Sequence, residues 1–355
     1  MERGKILVTG GVGYIGSHTV VALHQAGYEP IIVDNLSNSS LSALDGIQTI
    51  LNAKIPFHNV DCRDTKGLDW IFNEAQESGR PIEGAIHFAA YKSVGESVER
   101  PIDYFQNNIG STASLLQIMG QYGVNRLVFS SSCTVYGEPE HIPVDEFAPI
   151  LPAESPYGFT KQACERLIQD VVIAQPELRV TLLRYFNPIG AHPSGLIGEQ
   201  PLGNPNNLIP FLTRASAGEC EPLTVFGQDY PTADGTCIRD YIHVVDLAEA
   251  HVASMDWLLQ PSADKKEQEA ICEPFNLGTG KGSSVKEVIQ TFEAVNGVRV
   301  PHRFGPRRSG DVVAIYAKAD KAKKLLGWSA QKSLGDALED AWRWQQGAGS
   351  IQEVS

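Results

Sequence analysis

The chain has 355 residues, 42% hydrophobic and 20% charged, a balance that fits a globular fold and excludes fibrous or disordered classes. At about 100–200 residues per domain, this length predicts two domains or one large one. Asp and Glu outnumber Lys and Arg by 42 to 29, and the formal charge of −13 argues against a nucleic-acid surface or an anchor to an anionic membrane, while allowing a small anionic ligand in a local basic pocket.

Lys5–Thr9 (KILVT) reads as a buried strand and residues 14–26 as a helix closed by Gly27. Residues 30–33 (PIIV) predict a second strand, 56–60 a weaker third, 85–88 (AIHF) a fourth, 126–129 (RLVF) a fifth and 180–184 (VTLLR) a sixth. Helical spacing marks 102–121 and 157–174. This alternation predicts a doubly wound parallel α/β sheet covered on both faces, with ligands at the carboxyl ends of its strands. From about residue 188 the texture changes. Residues 187–207, rich in Gly, Pro and Asn, read as a long loop into a smaller α/β C-terminal lobe. Residues 239–260 return to strand and helix, 261–270 read as an exposed polar loop, and 283–295, 318–326 and 334–346 as helices. The predicted organisation is a nucleotide-binding domain over 1–188, with segments near 236–262 returning to it, and a substrate lobe over most of 189–355.

No apolar run reaches the roughly 20 residues of a membrane helix, and the opening MERGKILVTGG carries no signal-peptide stretch. The six cysteines (Cys62, Cys133, Cys164, Cys220, Cys237 and Cys272) form no CxxC pair. They predict reduced, buried thiols in a cytoplasmic protein and call for no metal. His87 and His243 fall at apolar strand positions and read as core histidines.

The first strand runs into Gly10-x-x-Gly13-x-x-Gly16. Glycine lets the backbone turn sharply and approach a pyrophosphate, and the following helix offers free N–H groups and a positive dipole end. Asp34 ends the second strand, where a carboxylate accepts bonds from an adenosine ribose diol. No Lys or Arg stands between Asp34 and Ser40 to pair with a 2′-phosphate, so NAD is expected over NADP. Asp61, after the third strand, reads either as an adenine contact or as a turn aspartate.

The fifth strand ends in Ser130-Ser131-Ser132-Cys133-Thr134-Val135-Tyr136-Gly137. Further on, Ser155 and Pro156 suit the N-cap and first position of a helix that places Tyr157 and Lys161 on one face. A phenol near pKa 10 is a poor base at neutral pH. An ammonium and an oxidised nicotinamide nearby would lower that value, letting Tyr157 take a proton from a sugar hydroxyl.

In this order the motifs resemble the extended short-chain dehydrogenase/reductase superfamily. Phe88–Ser97 (FAAYKSVGES), SSSCTVYG, SPYGFTK, Leu183–Gly195 (LRYFNPIGAHPSG), Pro205–Leu208 (PNNL), Asp234–His243 (DGTCIRDYIH) and Arg307–Asp311 (RRSGD) further resemble the UDP-glucose 4-epimerase family over nearly the whole chain. The resemblance implies a Rossmann-type domain holding NAD, with Tyr157 as acid/base, Lys161 as its activator and Ser132 as its hydrogen-bond partner. It implies NAD contacts from Gly10, Gly13, Tyr14, Ile15 and Gly16, from Asp34, Asn35, Asp61 and Cys62, and from Phe88, Ala89, Lys92, Asn107 and Phe186. It implies substrate contacts from Asn187, Asn207, Leu208, Arg239, Arg308, Asp311 and Ile315, with the arginines on the diphosphate and Asp311 on the uridine ribose. The implied reaction epimerises C4 of UDP-galactose and UDP-glucose through a 4-keto sugar, in a cytoplasmic homodimer built on the 102–121 and 157–174 helices.

Two departures stand out. Ile315 occupies a position where some relatives carry tyrosine and others cysteine, which leaves UDP-N-acetylglucosamine open as a substrate. Gly110-Ser111 replaces the usual Asn-Gly, with little consequence expected. A nucleotide-sugar dehydratase would need acids after the serine strand, and Ser132-Cys133-Thr134-Val135-Tyr136 has none. A 4-epimerase of UDP-xylose or UDP-glucuronate, a decarboxylase, and a cofactor-sensing binding protein are the other readings.

Overall fold

The computed structural model describes residues 3–201, 203, 205, 207–260, 271–308 and 312–352. The loop expected at 261–270 and Asp311 lie outside them. The first half runs β1 (Lys5–Thr9), α1 (Tyr14–Gln25), β2 (Glu29–Asp34), α2 (Leu41–Leu51), β3 (Phe57–Asn59), α3 (Thr65–Glu77) and β4 (Ile82–His87). Then come α4 (Val94–Glu99), α5 (Pro101–Tyr104), a π-helical turn over Phe105–Ile109, α6 (Gly110–Gln121), β5 (Arg126–Ser130), α7 (Pro156–Ala174) and β6 (Arg179–Tyr185). The second half contains β7 (Asn187–Ile189), α8 (Leu208–Ala217), β8 (Leu223–Phe226), β9 (Ile238–Arg239), β10 (Tyr241–His243), α9 (Val244–Leu259) and β11 (Ile271–Leu277). It closes with β12 (Ser283–Ser284), α10 (Val285–Asn296), β13 (His302–Gly305), β14 (Ala314–Ile315), α11 (Asp320–Leu326) and α12 (Leu334–Gln352).

Among the described residues, seven parallel strands form one sheet in the order β11-β6-β5-β4-β1-β2-β3, the doubly wound Rossmann-type arrangement. Strand period explains how both faces are covered. In β1, Ile6 and Val8 face a core shared with α1 and α9, while Leu7 faces one shared with α3, α6 and α7. In β5, Val128 takes the first side and Leu127 and Phe129 the second. Six strands match the expected runs. The seventh, β11, had not been singled out, and it pairs with β6 at the sheet edge.

A further core lies among α8, β8, α10 and α12, with residues such as Leu212, Val225, Phe292 and Leu338. The expected loop at 187–207 contains β7, which pairs with β10, and an Ala191–Gly198 bridge. The 102–121 helix is broken into α5, the π turn and α6, a feature that often marks functional sites. No described helix is long and apolar enough to cross a membrane. His87 is buried between Thr9 (2.7 Å) and Thr112 (3.2 Å), and His243 reaches Asp340 at 3.2 Å. Burial lowers the pKa of both.

Candidate active site

A cleft of about 730 Å³ opens at the carboxyl ends of β1, β2 and β4. Its floor is the glycine turn. Gly10 has φ +68, where only glycine is unstrained, and a Cβ on Gly16 would stand 2.1 Å from the Gly10 carbonyl oxygen. Gly13 holds the N-cap position of α1 without a side chain, so the first-turn N–H groups face the cleft uncovered. Tyr14 and Ile15 continue this wall.

Asp34 stands at the end of β2, also on the wall. Its carboxylate accepts from the Leu36 N–H at 2.9 Å and from Ser39 Oγ at 2.8 Å. This clasp holds Leu36 at φ +58, an unusual region for a bulky side chain and a form of strain found near ligand sites. Asn35 Nδ2 donates to Asp61 at 3.0 Å, and Arg63 forks onto the same carboxylate at 2.9 and 2.7 Å. The Arg63 hydrogen bonds pull Asp61 down to about 2. Cys62 lines the cleft too, but burial pushes its thiol up to about 12, so it is no nucleophile. Phe88, Ala89, Lys92 and Asn107 complete this side.

The opposite end holds Tyr157 and Lys161, both buried. Their helix starts as expected: Ser155 Oγ accepts from the Gly158 N–H at 3.1 Å, with Pro156 in the first turn. Lys161 Nζ donates to the Ser130 carbonyl at 2.7 Å. Burial lowers the ammonium to about 8, opposed by Cys164 and Glu165, so it stays charged at neutral pH. Burial raises the Tyr157 phenol well above its ordinary value, a hydrogen bond with Ser132 opposing it. The protein alone therefore keeps Tyr157 protonated, and the expected lowering needs a further positive charge facing the ring.

Ser132, which bonds Tyr157, also caps a short turn by accepting from the Thr134 N–H at 3.2 Å. Asn207 and Arg308 do line the cleft, and the Arg308 guanidinium sits 5.8 Å from the Phe226 ring centre. Arg239 Nη1 donates to the Ile238 and Val312 carbonyls at 2.8 and 2.9 Å. Phe186 and Ile315 pack together in a small cluster with Val135 and Tyr136. The Asn187 N–H donates to the Asp240 carbonyl at 3.0 Å, and Leu208 opens α8 against the C-terminal core.

Sequence reasoning missed several groups here. Asn108, in the π turn, donates to the Tyr91 carbonyl at 3.0 Å and to Thr160 Oγ1 at 2.9 Å, clasping α7 beside Tyr157. The buried Tyr185 hydroxyl bonds Ser130 Oγ at the cleft wall. Glu165, four residues beyond Lys161, pairs with Arg184 at 2.6 Å. The i+4 spacing from Lys161 was the available signal for Glu165; long-range contacts such as Asn108–Thr160 left none.

Residues 6–267 match the model of the NAD dependent epimerase/dehydratase family. The UDP-glucose 4-epimerase of Bacillus subtilis is 49% identical over 340 residues, 96% of each chain. That of Dictyostelium discoideum is 48% identical over 96% of this chain and 95% of its own. Among solved structures, the UDP-glucose 4-epimerase of Stenotrophomonas maltophila, with bound NAD and formylated UDP-arabinopyranose, superposes with a TM-score of 0.92 at 45% identity, covering 98% of this chain and 100% of that one. The Bifidobacterium longum enzyme, in complex with NAD+ and UDP, gives 0.90 at 43% identity, covering 97% and 99%. With a relative nearly half identical from end to end and the glycine cradle, acidic strand end and capped Tyr157/Lys161 helix around one cleft, this chain belongs to the UDP-glucose 4-epimerase family.

Proposed function

We propose that the protein interconverts UDP-galactose and UDP-glucose by inverting C4, using tightly held NAD. The observation that carries this reading is the single cleft with the glycine cradle and Asp34 at one end and Tyr157 and Lys161 at the other. The cradle fits a dinucleotide, because its close-packed glycines and uncovered helix N-terminus suit a pyrophosphate. Gly10, Gly13 and Gly16 would hold the phosphates, Asp34 the adenosine ribose, and Lys92, Asn107, Phe186 and Lys161 the nicotinamide end. When bound, NAD supplies a reversible acceptor for the C4 hydride and, oxidised, the positive charge that frees the Tyr157 proton. Tyr157 takes the proton from the 4-hydroxyl and returns it to the 4-keto sugar, Lys161 supports its phenolate, and Ser132 bonds the same oxygen. Arg308, Arg239, Asn187, Asn207, Leu208 and Asp311 would hold the UDP-sugar. Firm binding of UDP, which does not react, leaves the sugar free to present its other face.

Purified protein given UDP-galactose without added cofactor is expected to form UDP-glucose, followed by NMR of the anomeric protons. Loss of water or a carboxyl group instead points to dehydratase or decarboxylase chemistry, and no change even with NAD overturns the reading.

Ile315 adds a substrate expectation. Isoleucine leaves an intermediate gap beside the sugar C2 substituent, so slow turnover of UDP-N-acetylglucosamine is expected, rising about ten-fold in Ile315→Ala. Activity below detection in both proteins rejects this.

The two-lobe division near residue 188, a cytoplasmic location and a homodimer belong to the same proposal. Ile102 (70% exposed), Phe105 (37%) and Phe159 (47%) cluster outside α5, the π turn and α7, with the two Phe rings stacked at 5.5 Å. Such a patch suits a second copy of the chain. Sedimentation at twice the chain mass, falling to a monomer in Ile102→Glu, is expected; a monomeric wild type rejects the dimer.

A further inference from the structure

Glu199 is a carboxylate on the wall of a cleft built for two anionic ligands, where a negative charge needs a reason. Its backbone is fixed from behind, since Trp344 of α12 donates its indole N–H to the Glu199 carbonyl at 3.1 Å. The preceding turn is pinned by the Ala191–Gly198 bridge, and Ile197 is buried in the main core. The side chain is only 11% exposed, and one oxygen, Oε1, accepts from two donors. Lys92 Nζ reaches it at 2.8 Å from the loop after β4, and Asn207 Nδ2 reaches it at 2.8 Å from the head of α8. Lys92 Nζ also stands 5.7 Å from the ring centre of Tyr14, next to the glycine cradle.

Two walls that are far apart in sequence thus meet on one atom. Lys92 is half exposed, and among the described residues its ammonium is held over the cleft by the Glu199 carboxylate and the Tyr14 ring. Resting on the NAD and UDP-sugar reading above, we propose that Glu199 is a positioning residue that pins Lys92 over the dinucleotide, slows NAD release, and couples that release to the nucleotide-sugar side through Asn207. When Asn207 turns to a nucleotide, the shared oxygen is left to Lys92 and the pin tightens. Nucleotide binding therefore slows NAD loss, and by linkage NAD favours nucleotide binding.

The test uses NAD-loaded enzyme diluted into alcohol dehydrogenase with ethanol, which captures released NAD as NADH, with and without UDP. In wild type, UDP is expected to slow release. In Glu199→Ala, release is expected to be about ten-fold faster, the scale of one charged hydrogen bond, and most of the UDP effect is lost. Glu199→Gln, which keeps the shape, covers a failure of Glu199→Ala to fold and is expected to shift both readings the same way. Combining Lys92→Ala with Glu199→Ala should add little to Lys92→Ala alone. Wild-type release rates and an intact UDP effect in the Glu199 variants overturn the inference. Wild type that takes up no NAD at all overturns the reading it rests on, so the two failures are distinct.

Discussion

Tyr157→Phe is expected to lower kcat for UDP-galactose by about 10²–10⁴-fold, the range of a positioned acid/base. The ring is buried and packed, and phenylalanine fills the same space, so the fold and the cleft should survive. What is lost is the hydroxyl proposed above to take and return the C4 proton. Ser132 cannot substitute, because an aliphatic hydroxyl is a far weaker acid than a phenol and is not ionised at neutral pH. Lys161 cannot either, since a charged ammonium has no lone pair with which to take a proton. KM should move little and NAD retention should persist, because neither depends on proton transfer. A variant within ten-fold of the wild-type kcat would assign the proton to another group.

Arg184→Met is expected to destabilise the protein by about 3–5 kcal/mol, the cost of leaving a buried charge unpaired. Arg184 forks onto Glu165 at 2.9 and 2.6 Å, with both side chains only 5% exposed. Its third contact, at 3.1 Å to the Tyr136 hydroxyl, continues to Asn276 at 2.6 Å in β11. Ser131, beside Ser132, donates to the same Glu165 at 2.5 Å. The pair thus joins α7, one turn beyond Lys161, to the ends of β5, β6 and β11. Glu165 would be left with Ser131 alone, and α7 would lose its anchor under the acid/base pair. Urea unfolding should show a lower midpoint at unchanged slope, with a fall in kcat at little change in KM. A loss below about 1 kcal/mol would show that Glu165 finds water or another partner.

Much of this site was legible because local rules place its parts. Strand, glycine turn and helix follow from residues 5–25 alone, and Ser155 with Pro156 marks the start of α7 wherever the helix packs. Strand β11 was not legible, since Glu273 and Pro274 interrupt its apolar run. The structure shows why they are tolerated: β11 is an edge strand, where proline forfeits no ladder bond on the open side. The clasp by Asn108 and the meeting of Lys92, Asn207 and Glu199 depend on chain distance that no spacing rule spans. The bonds of Arg239 Nη1 to the Ile238 and Val312 carbonyls, the second from a distant segment, likewise left no signal in the motif.

The place of β11 bears on how the chain is made. Strand β6 pairs with β5 on one side and, from Arg179 to Tyr185, with β11 on the other. Until Leu277 leaves the ribosome, β6 presents a bare row of N–H and C=O groups flanked by apolar residues, the template on which chains misassociate. At about 5–20 residues per second, that edge stays open for several seconds of synthesis. The nascent protein is thus most vulnerable after its cofactor-binding strands exist and before its sheet is sealed, an interval in which a chaperone, or the early docking of α9, has most to protect.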